Sequence, residues 1–153
     1  MNILLDKAYY KESYEELMTI KKKYTWVEIA FGIVLLVGGV SLGLLNSRFD
    51  MVYVILCIVG IFEICSPSIK KYLWLRRQLG SKSAGTEIEV KIDSQGYKVT
   101  GRYSAAEIKW DGVEKVSKSS KGFVIWPQKG TYVYIPIKNS SNETVRVLAS
   151  KCI

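Results

Sequence analysis

The sequence predicts a membrane protein of the α+β class, in which a two-helix transmembrane hairpin is followed by a small antiparallel β domain with a C-terminal helix. Two apolar stretches, predicted as helices over about residues 25–45 and 51–75, are long enough to cross the hydrocarbon of a bilayer. After residue 80 the hydrophobic period changes to the two-residue alternation of strands. The predicted domains are therefore residues 1–24, 25–79 and 80–153.

Residues 1–24 are predicted to form an amphipathic helix on the cytoplasmic side. Tyr10, Tyr14, Leu17 and Ile20 recur three or four residues apart, with charged residues between them. Two interpretations are open at this point. The helix either extends the first spanning helix or lies on the membrane surface with its tyrosines at the level of the headgroups.

The first spanning segment is rich in glycine, and the second contains a single charge. Gly39 and Gly43 have the GxxxG spacing that lets membrane helices approach closely, so we predict them as helix-packing residues and expect a homo-oligomer through the hairpin. Glu63 is the only charge within residues 51–69. An ionisable group in such a span is a functional hypothesis by default, but a position about 9 Å from the end of the span favours an interfacial or packing role.

Basic residues flank the hairpin on one side. Lysines occupy positions 21–23 before the first span, and Lys70, Lys71, Arg76 and Arg77 follow the second, while the linker is neutral. The positive-inside rule then predicts a multi-pass protein of the cell membrane with both termini in the cytoplasm. The four residues after the second span are the candidate contacts for anionic headgroups or a partner.

The remaining chain shows strand and turn signals in succession. Strands are predicted at residues 86–93, 97–103, 106–110 and 113–116, and a hairpin at residues 122–126 and 131–137. Pro136 indicates the end of its strand or an edge position. Ser140 and Glu143 have capping-box spacing for a final helix. Trp110, alone in an apolar alternation, is interpreted as the core marker of the domain.

Several function classes are disfavoured by the residue inventory. The chain has no histidine, and its three cysteines lack metal-ligand or disulfide spacing. Glu87, Glu89 and Asp93 alternate along one strand, as in a solvated face. We therefore expect no catalysis, no metal and no cofactor.

The net charge of +8 comes mainly from the C-terminal part, where residues 81–153 hold twelve Lys and Arg against seven Asp and Glu. This excess suits membrane lipids or an acidic protein partner. No basic run interleaves with aromatic residues, so nucleic acid is not expected. A solvated basic surface that serves only orientation is the alternative.

Four short stretches carry a resemblance to a known family: the Gly96-Tyr97 turn, residues 104–113 around Trp110, the run at residues 122–125, and Ile135-Pro136. On these residues the chain resembles the bacterial YcxB-like membrane proteins. The resemblance implies a C-terminal domain with a pleckstrin-homology-like fold, and it does not imply an activity.

Two functions follow as hypotheses. The first is a membrane-anchored binding module that presents its basic cytoplasmic domain to lipid or to a protein partner. The alternative is an immunity protein that protects the cell from a membrane-acting bacterial toxin, in which case the hairpin with Glu63 and its glycines would be the functional part.

Overall fold

The computed structural model describes residues 1–21, 25–45 and 51–152. The chain divides into two compact units. One unit, called the hairpin below, comprises Lys23–Trp74; the other, called the β domain, comprises Met1–Lys22 together with Leu75–Ile153. The division falls inside the last helix of the hairpin and not at residue 80.

The elements follow one another along the chain as three helices preceded by one short strand, and then six strands and a final helix. They are β1 (Asn2–Leu4), α1 (Lys7–Ile20), α2 (Thr25–Leu45), α3 (Met51–Leu79), β2 (Glu87–Ile92), β3 (Gly96–Gly101), β4 (Ala105–Lys109), β5 (Lys115–Lys118), β6 (Gly122–Gln128), β7 (Thr131–Pro136) and α4 (Asn142–Ser150). A 3₁₀ turn at Trp110–Gly112 separates β4 from β5, where the sequence predicts a break.

The strands form two antiparallel sheets, one with the order β1-β2-β3-β4 and one with the order β5-β6-β7. The strands predicted from the two-residue period are confirmed. Pro136 is the last residue of β7, which is an edge strand, as expected from its missing N–H.

The N-terminal segment differs from the prediction that set residues 1–24 apart. β1 pairs with β2 in the register Ile3↔Ile88, and the Ile3 side chain is only 1% exposed. The helix α1 ends at Ile20 and belongs to the β domain, so it is neither an extension of α2 nor a helix whose buried face is turned to lipid. The sequence pattern did not reveal this because the partners of α1 lie more than 100 residues later.

An apolar cluster fixes α1 against the three-stranded sheet. Leu17 is 3% exposed and packs with Val124 and Tyr134, which are completely or almost completely buried. Val124 is the middle residue of a fully buried run from Phe123 to Ile125, so β6 has apolar neighbours on both faces. Burial of each such side chain stabilises the domain by about 2 kcal/mol.

Polar contacts reinforce the same interface. The Tyr9 hydroxyl donates to the Tyr134 carbonyl at 2.9 Å, and the Tyr134 hydroxyl donates to Glu12 at 2.8 Å. Glu16, only 4% exposed, accepts from the Ser120 hydroxyl at 3.0 Å. Burial alone would raise the pKa of Glu16, but the hydroxyls of Ser119 and Ser120 and the N–H of Lys121 hold it below its ordinary value.

Trp110 and the C-terminal helix contribute to the domain core as expected, but the residue that caps this helix is not the predicted one. Trp110 is 9% exposed, and its indole N–H donates to the Asp93 carbonyl at 2.9 Å. Leu148 of α4 is fully buried. The helix is capped by Ser141, which accepts from the Thr144 N–H, and not by Ser140, whose hydroxyl donates to the Pro136 carbonyl.

The hairpin contains two helices that are long and apolar enough to cross a membrane, by length and composition. The helices approach most closely at Gly32 and Gly60: a Cβ added to either would lie 2.7 Å from the carbonyl oxygen of the other. A Cβ at Gly39 would lie 2.9 Å from the Cys57 sulfur. At Gly43 the nearest atom would be an ordinary 3.8 Å away. The close contact described here therefore uses Gly32, Gly39 and Gly60 and joins the two helices of one chain, whereas the packing of Gly39 and Gly43 between chains stays a prediction.

Candidate functional site

A basic cavity in the β domain is the strongest candidate for a site. It measures about 330 Å³, and its walls include three lysines, Lys21, Lys115 and Lys129, and two aromatic rings, Trp126 and Tyr132. We call it the lysine cavity. Such a volume lies at the small end of the range of ligand pockets, which suits a headgroup or a metabolite.

Three separate elements bring the lysines together. Lys21 is the C-cap of α1, where its N–H donates to the Leu17 carbonyl. Lys115 begins β5 and pairs in register with Trp126 of β6. Lys129 lies in the β6–β7 turn next to Gly130, whose φ of 91° is one that glycine adopts readily. The docking of α1 on the sheet is thus what places Lys21 beside the other two.

The aromatic rings form the less polar part of the wall. Trp126 and Tyr132 are both half-buried and pack against the cluster around Leu17. Burial raises the pKa of the Tyr132 phenol to about 12, so the ring carries no charge at neutral pH. A ligand with a charged head and an apolar stem would meet complementary surfaces here.

The electrostatics of the cavity favour an anion. None of the ion pairs among the described residues involves Lys21, Lys115 or Lys129, and all three side chains are exposed. Among the lining residues that the structure describes, Glu114 is the one that is acidic. The C-terminal end of α1 adds about half a negative charge, so the wall keeps about one and a half net positive charges.

The basic residues predicted from the sequence lie elsewhere. Lys70 forms an ion pair with Glu28 of α2 at 3.1 Å, within the hairpin. Lys71 also belongs to the hairpin, whereas Arg76 and Arg77 are exposed in the last turn of α3, in the β domain. The four residues are therefore divided between two units.

Glu63 lies in α3 and is half-buried. Among the residues that the structure describes, no hydrogen bond or ion pair to its carboxylate is found. The next residue, Ile64, is the one whose backbone and side chain lie next to Gly32 of α2. This places Glu63 beside the helix contact and not at its centre.

Comparison with protein-family models, curated proteins and solved structures found no match to this chain. Among the described residues, no group of three His, Cys, Asp or Glu side chains could hold a metal ion. The assignment of a function must therefore come from the lysine cavity itself.

The residues of this cavity differ from the site residues that the sequence predicts. The three lysines are single charges far apart along the chain, and no motif connects them. One signal in the sequence is the position of Trp126 shortly before the turn that contains Lys129, which places an aromatic residue and a lysine close together.

Proposed function

We propose that this chain is a two-pass membrane protein whose cytoplasmic β domain binds the phosphate-bearing headgroups of anionic lipids. The observation that carries the proposal is the lysine cavity, in which three lysines outside any described ion pair surround a space bordered by two aromatic rings. Charge and shape there suit the boundary between headgroup and acyl chain.

The pairing of β1 with β2 supports an even number of membrane crossings. β1 precedes the hairpin in the sequence and β2 follows it, yet the two strands are neighbours in one sheet. If α2 and α3 both cross a bilayer, the two ends of the hairpin return to the same side, as this pairing requires. The lysines and arginines that flank the hairpin favour the cytoplasmic side.

The strand order supports a pleckstrin-homology-like fold for the β domain. The resemblance to the YcxB-like family implies a small antiparallel β domain closed by a C-terminal helix, and the two antiparallel sheets followed by α4 agree with that arrangement. In this proposal the hairpin is inserted after the first strand of that fold. The family assignment itself remains a prediction.

Chain length supports the placement of the cavity close to the membrane. Lys21 lies four positions before Thr25, the first residue of α2, and four steps along an extended chain cover at most about 15 Å. If α2 spans the bilayer, Lys21 stays within reach of the headgroups.

The proposal is tested on the full chain in nanodiscs, with neutral lipid alone and with added phosphatidylglycerol. A membrane-impermeant acetylating reagent is applied at low and high salt, and the modification of each lysine is read by mass spectrometry. We expect Lys21, Lys115 and Lys129 to be protected in anionic discs at low salt, because headgroups occupy the cavity and salt screens their attraction. Lys118, exposed in the same strand as Lys115, is the matched control and should not change.

Equal modification of the cavity lysines in neutral and anionic discs would refute lipid binding. A protein partner would then be the better hypothesis, with a membrane-acting toxin as the first candidate to test. The same reagent applied to intact cells tests the orientation, since lysines on the cytoplasmic side are modified only after the cells are opened.

A further inference from the structure

The charge of the lysine cavity suggests which anionic headgroups it prefers. Three lysines and one glutamate give the described side chains of its wall two net positive charges, and the C-terminal end of α1 lowers this to about one and a half. A phosphodiester headgroup, such as that of phosphatidylglycerol, carries one negative charge. A phosphomonoester carries between about 1.5 and 2 negative charges at neutral pH. The monoester can neutralise the wall completely, whereas the diester leaves part of its positive charge unbalanced.

We propose that the lysine cavity is a phosphomonoester site that selects a dianionic phosphate over a monoanionic one. This inference rests on the proposed function and deepens it. The ligand that combines a phosphomonoester with an apolar stem is phosphatidic acid, and a soluble phosphomonoester such as glycerol 3-phosphate offers the same head without the stem. Both ligands carry the same phosphomonoester, and the experiment distinguishes the lipid from the soluble compound.

The geometry supports a terminal phosphate over a bridging one. The three lysines that line the cavity come from three elements: the end of α1, the start of β5 and the β6–β7 turn. A terminal phosphate has three free oxygens for such donors, whereas a phosphodiester has two. The volume of about 330 Å³ holds a glycerol phosphate group, and the acyl chains would then leave along the Trp126 and Tyr132 side.

The size of the selectivity follows from Coulomb's law. In a site open to water, one additional negative charge at about 4 Å gains on the order of 1 kcal/mol from each net positive charge. About one and a half net positive charges therefore give a preference of slightly more than tenfold for the dianion. Removal of one lysine should weaken binding about fivefold, the factor that corresponds to about 1 kcal/mol.

The test uses the full chain in neutral detergent micelles and calorimetric titration. The probes are dioctanoyl phosphatidic acid and its methyl ester, dioctanoyl phosphatidylmethanol, which have the same chains and glycerol but one ionisable oxygen fewer in the ester. Glycerol 3-phosphate is titrated separately. We expect phosphatidic acid to bind at least tenfold more tightly than its methyl ester.

Single lysine substitutions test whether phosphatidic acid binds in the lysine cavity. Lys115→Gln and Lys129→Gln should each weaken binding of phosphatidic acid about fivefold, since both residues are exposed and their replacement leaves the core untouched. Lys118→Gln, with the same charge change in β5, should leave binding unchanged. A thermal melt of each variant establishes that the β domain is folded.

The outcomes are distinguishable. Equal affinity for phosphatidic acid and its methyl ester overturns the phosphomonoester inference while leaving general anionic-lipid binding intact. Binding of neither lipid and no protection in nanodiscs overturns both proposals. Tight binding of glycerol 3-phosphate supports the inference with a soluble ligand, whereas binding only of the lipid supports it with a membrane ligand. An equal loss of affinity in the Lys118→Gln control would overturn the assignment to this cavity.

Discussion

Leu17→Ala should loosen the attachment of α1 to the three-stranded sheet. Leu17 is 3% exposed and packs against Val124 and Tyr134, which are 0% and 1% exposed, so the space left by its side chain cannot be filled by solvent-facing groups. The substitution removes three carbon groups, worth about 2.4 kcal/mol of transfer free energy, and leaves a cavity besides. We expect a loss of about 3 kcal/mol.

The measurement is hydrogen exchange of the full chain in micelles, read by mass spectrometry. A loss of about 3 kcal/mol corresponds to an increase of roughly 100-fold in the equilibrium constant for opening, so amides of α1, β6 and β7 should exchange correspondingly faster. Amides of the hairpin should keep their protection. Leu4→Ala is the matched control, because Leu4 is 47% exposed in the same unit and its truncation should cost less than about 1 kcal/mol. Unchanged exchange in β6 and β7 of the Leu17→Ala variant would refute the packing of α1 on this sheet.

Two further predictions concern other contacts. The folded-state pKa of Glu16 is lowered, so its contribution to stability is fully present above the unfolded value of about 4.3 and is lost as the pH falls through the folded value. The midpoint of urea unfolding should therefore fall as the pH drops below about 4.3, and Glu16→Gln should flatten this dependence. The same pH dependence in Glu16→Gln would contradict the carboxylate contacts. In the hairpin, the Cys57 sulfur lies 2.9 Å from the Cβ position of Gly39. In a disulfide, the Cβ of one cysteine lies about 3 Å from the sulfur of the other, so the two positions are suitably spaced for a bond. With the other two cysteines replaced by Ser, oxidised Gly39→Cys should form an intrachain bond visible on a non-reducing gel, whereas Gly38→Cys, with no atom within 4 Å, should not.

The sequence predicts most of the regular elements because their periods are strong. The apolar stretches of α2 and α3 and the alternation in β2 are local signals, and the turn chemistry around Gly130 fixes the β6–β7 hairpin. β1 was not predicted because a three-residue strand is too short to show the alternation of apolar and polar residues.

The candidate site was less predictable than the fold because it depends on contacts distant in sequence. Lys21 looks like part of a lysine run before a membrane span, and only the docking of α1 on the three-stranded sheet reveals that it lines the cavity. In the hairpin, GxxxG spacing pointed to Gly39 and Gly43, whereas the structure uses Gly32 and Gly39, seven residues apart and so on the same side of a helix. Gly60, which lies against Gly32, is the single glycine of α3 and so forms no GxxxG pair.

The position of β1 has a consequence for biosynthesis. Its pairing partner β2 begins about 80 residues later, so at a translation rate of about 5 to 20 residues per second β1 is made roughly 4 to 16 s before the strand that it joins. During that interval Ile3 and the apolar face of α1 have no sheet to cover them. β1 therefore stays unpaired while both hydrophobic helices are synthesised, and during this time it is exposed to chaperones and proteases.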